Sequence, residues 1–416
     1  MKPTNNQVYL WNLLGNVFAA AISVVLLMIT SRLLSANQAD EFSIAYSLGH
    51  LWVVIGLFQV RNYQATDVQF THQFESYFTL RLFTVCVMIG SIIPYLYMTS
   101  FYEYTVANMV FIFLVILYRM WDAFADVFQG LFQQHERLDI AGKSMVIRYG
   151  TSMFVWLVMI YLTNSLVFSI VALIVWNGIV VYRYDYLPSR AFISIQWKNI
   201  VKGAYLKDAK HILRACMSLF VNGFILVYIF NEPKLVIGTG LKQGWLQEGM
   251  QRDYNILFMP VFFMSLCILV IRPLITKMAK LHLDKHYRVF YQTMRHITVS
   301  LFGFGIIATG LAYLIGTPIL SLVFGVKLAG YELSLMILVF SGVLYALAIF
   351  TENILTIFRK QHYLLLVYGM MLVVSKILTM SLVKQHGVLG ASLSFLIVMI
   401  VYLIGCILLL FKWRGK

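Results

Sequence analysis

The chain has 416 residues, 61% of them hydrophobic and only 12% charged, with a formal net charge of +15. A soluble domain is roughly half apolar, so this composition excludes a water-soluble fold and leaves no room for an extramembrane catalytic domain. The positive charge does not point to nucleic acid, because the basic residues sit in short stretches between long apolar segments, where membrane orientation explains them.

The first apolar segment, Leu10 to Leu34, is too long for a signal-peptide core and lacks a clear cleavage site beyond it, so it reads as an uncleaved span. Phe42 to Val60, Leu82 to Met98, Val106 to Phe128, Met145 to Leu162 and Leu166 to Tyr182 complete a first set of six. A basic stretch, Arg183 to Lys210, separates it from a second six: His211 to Phe230, Ile256 to Ile271, Ile297 to Ile315, Leu333 to Phe350, Tyr363 to Val383 and Val388 to Phe411. The expected organisation is an all-α polytopic membrane protein with an N-lobe over 1–190, a cytoplasmic basic linker over 191–210 and a C-lobe over 211–416. Cys86, Cys216, Cys267 and Cys406 all fall in apolar segments, without metal or redox spacing, and read as packing residues.

Counting Lys and Arg in alternate loops orients the chain. With Lys2 inside, 24 basic residues lie on the inner side, Arg61, Arg81 and Arg148 among them, against 6 on the outer side, including Arg32, Lys234 and Arg252. A four-to-one bias puts both termini in the cytoplasm. The halves also share a weak repeat: Phe124-Ala-Asp126 followed by Phe132 matches Phe350-Thr-Glu352 followed by Phe358 at an offset of 226, and Arg61 matches Arg272 at 211. Six spans per half make the repeat a parallel one, related by an axis along the membrane normal.

No P-loop, paired-histidine metal motif, nucleophile elbow or dinucleotide fingerprint is present, so the chain reads as a transporter, not an enzyme, with no cofactor and no metal. What remains is polar groups inside the membrane, where charge is costly. In the fourth span Arg119, Asp122 and Asp126 share one helical face at i, i+3 and i+7, and Arg119 can pair with Asp122. Two readings stand: a buried ion pair that holds helices in register with Asp126 merely solvated, or a polar patch in a transport cavity whose carboxylate binds a coupling H+ or Na+, with Glu352 beside Asn353 as its counterpart. Arg61, in the segment Arg61-Asn-Tyr-Gln64 with Asp67, reads either as a snorkelling anchor or as a guanidinium fork for a lipid diphosphate. Arg32, Arg214 and Arg272 carry the same pair of readings, and Lys376, deep in the eleventh span, is hardest to explain as an anchor. Asn12 and Asn16 in the first span and Asn222 in the seventh are amides that either bond across helices or touch substrate. Arg272 to Arg295 reads as an amphipathic helix on the inner surface, and Asn231 to Arg252 as an outer loop.

Asn12-Leu-Leu-Gly-Asn16, Ser31-Arg-Leu-Leu34 and Phe42-Ser-Ile-Ala45 resemble the start of the polysaccharide-transporter branch of the multidrug/oligosaccharidyl-lipid/polysaccharide exporter superfamily. Arg61-Asn-Tyr-Gln-Ala-Thr-Asp67, Asp126-Val-Phe-Gln-Gly130 and His135-Glu-Arg-Leu-Asp139 are similar to segments of Wzx-type oligosaccharide flippases. The resemblance implies two six-helix lobes in a V around a central cationic cavity, in the bacterial cytoplasmic membrane. It implies alternating access that moves an undecaprenyl-diphosphate-linked oligosaccharide to the outer leaflet for O-antigen or capsule export, with membrane lipids, a polymerase and chain-length proteins as partners. It also places Arg61 where the diphosphate would enter. Rival readings are a drug/cation antiporter of the same fold, in which acids would dominate the cavity, and a membrane polymerase or glycosyltransferase, which would need a sizeable outer loop.

Overall fold

In the computed structural model the backbone is described over residues 5–67, 70–100, 105–358 and 360–413, and the side chains over the same ranges except positions 5, 99, 100, 262–273, 276, 361 and 413. The described residues are nearly all helical and contain no strand. Nine helical stretches among them are long and apolar enough to cross a bilayer. One of these, Leu364–Trp413, breaks at Gly387, where φ 56° and ψ −127° are not helical, and its two arms fold against each other, bringing the Tyr368 and Tyr402 rings to 5.7 Å. Val106–Gln134 and Met250–Leu283, of 29 and 34 residues, are also of bilayer-spanning length. Twelve membrane-length rods result, as the hydropathy pattern predicts.

The chain divides into two compact units, Met1–Val227 and Tyr228–Lys416. In the first, α1 (Asn5–Leu33) turns into α2 (Ala36–Leu57) through a capping box: the Gln38 amide donates to Ser35 Oγ and the Ser35 amide to Gln38 Oε1. After α3 (Val60–Thr66), α4 (Phe74–Ser100) and α5 (Val106–Gln134), α6 (Leu138–Thr163) crosses α1 at small residues: a Cβ on Gly142 would collide with the Trp11 carbonyl, so the two backbones touch. α7 (Leu166–Val181) runs on through a π-helical turn, Tyr182–Tyr186, into α8 (Leu187–Ser189). Short α9 (Trp197–Val201) precedes α10 (Leu206–Lys242). The stretch predicted as a linker packs on this unit, since Ile200 and Ala209 are buried with Phe58, Phe74, Phe128 and Phe132.

The second unit contains the end of α10, α11 (Met250–Leu283), α12 (Tyr287–Leu311), α13 (Thr317–Phe324), α14 (Glu332–Ile357) and α15 (Leu364–Trp413). Its core joins Met278, Phe290, Leu301, Val343, Phe350 and Ile354. Large apolar side chains stay exposed on rods of both units, Phe154, Phe168, Ile307 and Leu408 among them. In water such surface would be a liability; against lipid tails it is the expected outer face.

Three sequence expectations fail here for one reason: hydropathy stops a span at its first polar residue, whereas a helix continues while its backbone bonds are satisfied. The outer loop Asn231 to Arg252 is helical as far as Lys242, so Lys234 is a helical residue. Arg272 to Arg295 is not one amphipathic helix but the end of α11 and the start of α12, joined at Asp284–His286, with Met278 and Phe290 fully buried. Arg81 and Arg148, counted as inner loop charges, lie inside α4 and α6 at 0% and 2% exposure. Taking Arg81 and Arg148 out of the inner count and Lys234 out of the outer one leaves 22 against 5, and the bias keeps its sign.

Candidate functional site

The polar residues of the first unit assemble around α5. Asp126 holds two arginines: Arg81 Nη2 lies 2.6 Å from Oδ2, and Arg61 Nη1 lies 3.8 Å from Oδ1. Arg81 also donates to the Gly56 carbonyl, tying the end of α2 to α4. Asp126 is therefore engaged rather than merely solvated.

The backbone aims Arg61 at this carboxylate. α2 ends at Phe58 and Gln59, both left-handed at φ 44° and 56°, and the chain restarts as α3 at a new angle. Two non-glycine residues in that region cost about 1–3 kcal/mol each. The Phe58 ring stacks on Phe220 at 4.2 Å, and its amide donates to the Val54 carbonyl, which holds the bend. From α3, Arg61 Nη1 donates to Gln129 Oε1 at 2.7 Å and Nε to Gln133 Oε1 at 3.4 Å, while Gln64 donates to Gln134. Arg61 keeps 26% of its side chain exposed, against 0% for Arg81.

Further along α5 is a second cluster. Asp122 lies 2.8 Å from Arg119 and 2.9 Å from Arg148, and accepts a hydrogen bond from Tyr149 at 3.1 Å. The Arg119 guanidinium rests 4.5 Å over the Tyr46 ring. Arg148 donates to the Trp121 carbonyl and to Tyr149. Asp185, wholly buried on the π-helical turn after α7, accepts from Ser144 at 2.8 Å, and its Oδ1 has no hydrogen-bond partner among the described residues. Four arginines, Arg61, Arg81, Arg119 and Arg148, thus share two carboxylates, Asp122 and Asp126, while Asp185 accepts from Ser144. Sequence reasoning missed Arg81, Arg148 and Asp185, since each lies where a span edge was drawn.

At the same end, Asp67 accepts from the amides of Thr71 and His72 and from the Tyr77 hydroxyl. Partial burial works to raise its carboxyl, and these donors outweigh it, leaving it below the ordinary value.

The second unit handles its charges differently. Glu352 accepts from Tyr368 at 2.8 Å and from Tyr402, so one carboxylate fastens both arms of α15 to α14. Asn353 bonds its own helix at the Ile349 carbonyl. Lys376 lies 3.1 Å from Glu232 and 4.7 Å over the Tyr228 ring, with 56% of its side chain exposed. Glu232 escaped sequence reasoning because it was placed in a loop.

The remaining candidates do not converge. Arg32 is exposed in the last turn of α1, while Arg61 lies beyond the far end of 22-residue α2, about 33 Å away along the helix, so the two cannot share one diphosphate. Arg214 is exposed on α10. The side chain of Arg272 lies outside the described residues. Asn16 bonds the carbonyl and amide oxygen of Asn12, and Asn222 has a buried Oδ1 without a hydrogen-bond partner among the described residues. Cys216 and Cys406 are buried and Cys86 is exposed.

No protein-family profile matches the chain, and no curated protein matches it by sequence. Solved structures do match in fold. A point mutant of the MATE transporter VcmN of Vibrio cholerae aligns with 13% identity and a TM-score of 0.57, covering 99% of this chain and 97% of its own. An inward-facing multidrug resistance MATE family transporter of the MOP superfamily aligns at 12% identity and 0.60, covering 95% and 96%. A MOP superfamily transporter from Pyrococcus furiosus aligns at 13% and 0.54, covering 98% and 94%. The chain has the fold of these twelve-helix membrane transporters over essentially its whole length.

Proposed function

We propose that the chain flips undecaprenyl-diphosphate-linked oligosaccharide repeat units from the inner to the outer leaflet of a bacterial cytoplasmic membrane, by alternating access driven by an H+ or Na+ gradient. One observation carries the reading: Arg61 is fixed by Gln129 and Gln133 yet remains a quarter exposed, and the nearest acid, Asp126, is already held more closely by Arg81. A guanidinium positioned at the membrane edge with donors to spare suits a diphosphate, which takes paired N–H groups while its lipid tail stays in the bilayer. In the second unit Lys376, half-exposed deep in a span and paired with Glu232, is expected to face water rather than lipid. For the Pyrococcus furiosus transporter of this fold, reverse polarity of the binding pocket suggests a different function, so the fold accommodates pockets of more than one polarity.

The rival, a drug or cation antiporter, needs an acid available to a cation. Asp122 and Asp126 are engaged by two arginines each and Glu352 by two tyrosines; among the acids described above, Asp185, whose Oδ1 accepts no hydrogen bond from the described residues, is the one that supports it. The test is reconstitution of the purified chain with lipid-linked oligosaccharide and measurement of leaflet exchange with and without an ion gradient. Exchange that Arg61→Ala abolishes and Arg61→Lys partly restores supports the proposal. Gradient-driven export of an organic cation without oligosaccharide exchange overturns it.

A further inference from the structure

The segment between Ser189 and Leu206 has no role in the site above; it joins two helices long and apolar enough to cross a bilayer, so their length puts it at a boundary between bilayer and water. It does not hang free. Phe192, Ile193 and Ile195 pack on the first unit's core, Ile200 is buried there, and the Gln196 amide reaches Glu75 Oε1 at 3.4 Å. The Trp197 ring meets Phe78 edge-on at 5.4 Å. One side is therefore pinned to the ends of α4 and α5.

The other side combines two chemistries. Trp197 and Val201, one turn apart on α9, are 44% and 86% exposed, and Leu206, at the start of α10, is 61% exposed. Beside them Lys198 and Lys202, also one turn apart, and Lys207 and Lys210 on α10 are exposed, with Asp208 the single exposed acid between 196 and 210. Apolar side chains next to ammonium groups match the two layers of a leaflet edge: acyl chains take the Trp, Val and Leu, and phosphates take the lysines.

We propose that the outward face of residues 196–210 is a docking surface for anionic phospholipid, with Trp197, Val201 and Leu206 inserted among acyl chains and the four lysines on headgroup phosphates. The surface depends on the membrane fold alone and not on what the protein transports.

The full-length chain in lipid nanodiscs tests this through Trp197. Its fluorescence contribution is defined as the difference between wild type and Trp197→Phe, and quenching is measured with brominated phosphatidylglycerol or brominated phosphatidylcholine at equal mole fraction. The expected result is several-fold stronger quenching of that component by the anionic lipid. The preference disappears in the Lys198→Gln/Lys202→Gln/Lys207→Gln/Lys210→Gln variant, survives in the matching Lys→Arg variant, and shrinks with added salt. Equal quenching by both lipids in wild type overturns the headgroup assignment, as does a preference that the Gln variant retains. Absence of quenching by either lipid overturns the insertion as well.

Discussion

Arg81 and Asp126 form a 2.6 Å ion pair inside the helix bundle of the first unit, the arginine with no solvent exposure at all. A charge buried this way is tolerated because it is matched, and removing one partner strands the other at a cost of about 3–5 kcal/mol. Arg81→Gln is therefore expected to lower the melting temperature sharply in detergent. Arg61, at 3.8 Å from the same carboxylate and partly exposed, is expected to leave stability nearly unchanged on mutation to alanine while transport falls. Thermal unfolding of both variants beside a leaflet-exchange assay separates the structural arginine from the working one. Equal loss of stability in both would reject that division.

The triad around Asp122 makes a prediction by charge alone. Wild type has two buried arginines on one buried aspartate. Arg119→Met leaves a matched pair, Arg148 with Asp122, whereas Asp122→Asn leaves two guanidinium groups with no counter-charge on α5 in reach. The aspartate variant should unfold at the lower temperature, and Arg119→Met added to it should recover part of the loss. A double-mutant cycle measures that recovery, and its absence would mean the three groups act independently.

How much of this was legible in the sequence depends on where each residue sits. Long apolar runs announce the rods directly, and the i, i+3 spacing of Arg119 and Asp122 announces their pairing, because both signals are local. Arg81 and Arg148 were misplaced because hydropathy reads a charge as the end of a span, while the fold sinks the charge and matches it with an acid from another helix. Glu232 and Asp185 were missed for the same reason. The bend at Phe58 and Gln59 has no sequence signature, since neither is a residue that favours left-handed backbone; the packing that accompanies it, Phe58 on Phe220, is a contact between distant parts of the chain.

The Asp67 turn sets a pH limit. Its carboxyl titrates below the ordinary aspartate value of about 4 because the Thr71 and His72 amides and the Tyr77 hydroxyl outweigh its partial burial. A lowered folded value means that the carboxylate's contribution is complete above that ordinary value and is lost as pH falls through the lower one. Melting curves of wild type between pH 6 and about pH 3 should show a loss that is smaller in Asp67→Asn, which no longer gains a proton. Parallel acid limbs for the two proteins would remove Asp67 from the account.

Gly387 carries the sharpest backbone demand in the second unit. At φ 56° and ψ −127° it occupies a region that side-chain-bearing residues avoid, and it is the point where the α15 arms reverse so that Tyr368 and Tyr402 reach the same Glu352 carboxylate. Gly387→Ala is expected to cost about 1–3 kcal/mol. The loss should be local, because the two tyrosine hydroxyls resist opening of the hairpin. Tyr402→Phe removes one of them, so the double variant should lose more than the sum of the singles, read as thermal stability and as faster amide exchange near the break. Strict additivity would show that the glycine and the tyrosine hold the hairpin independently.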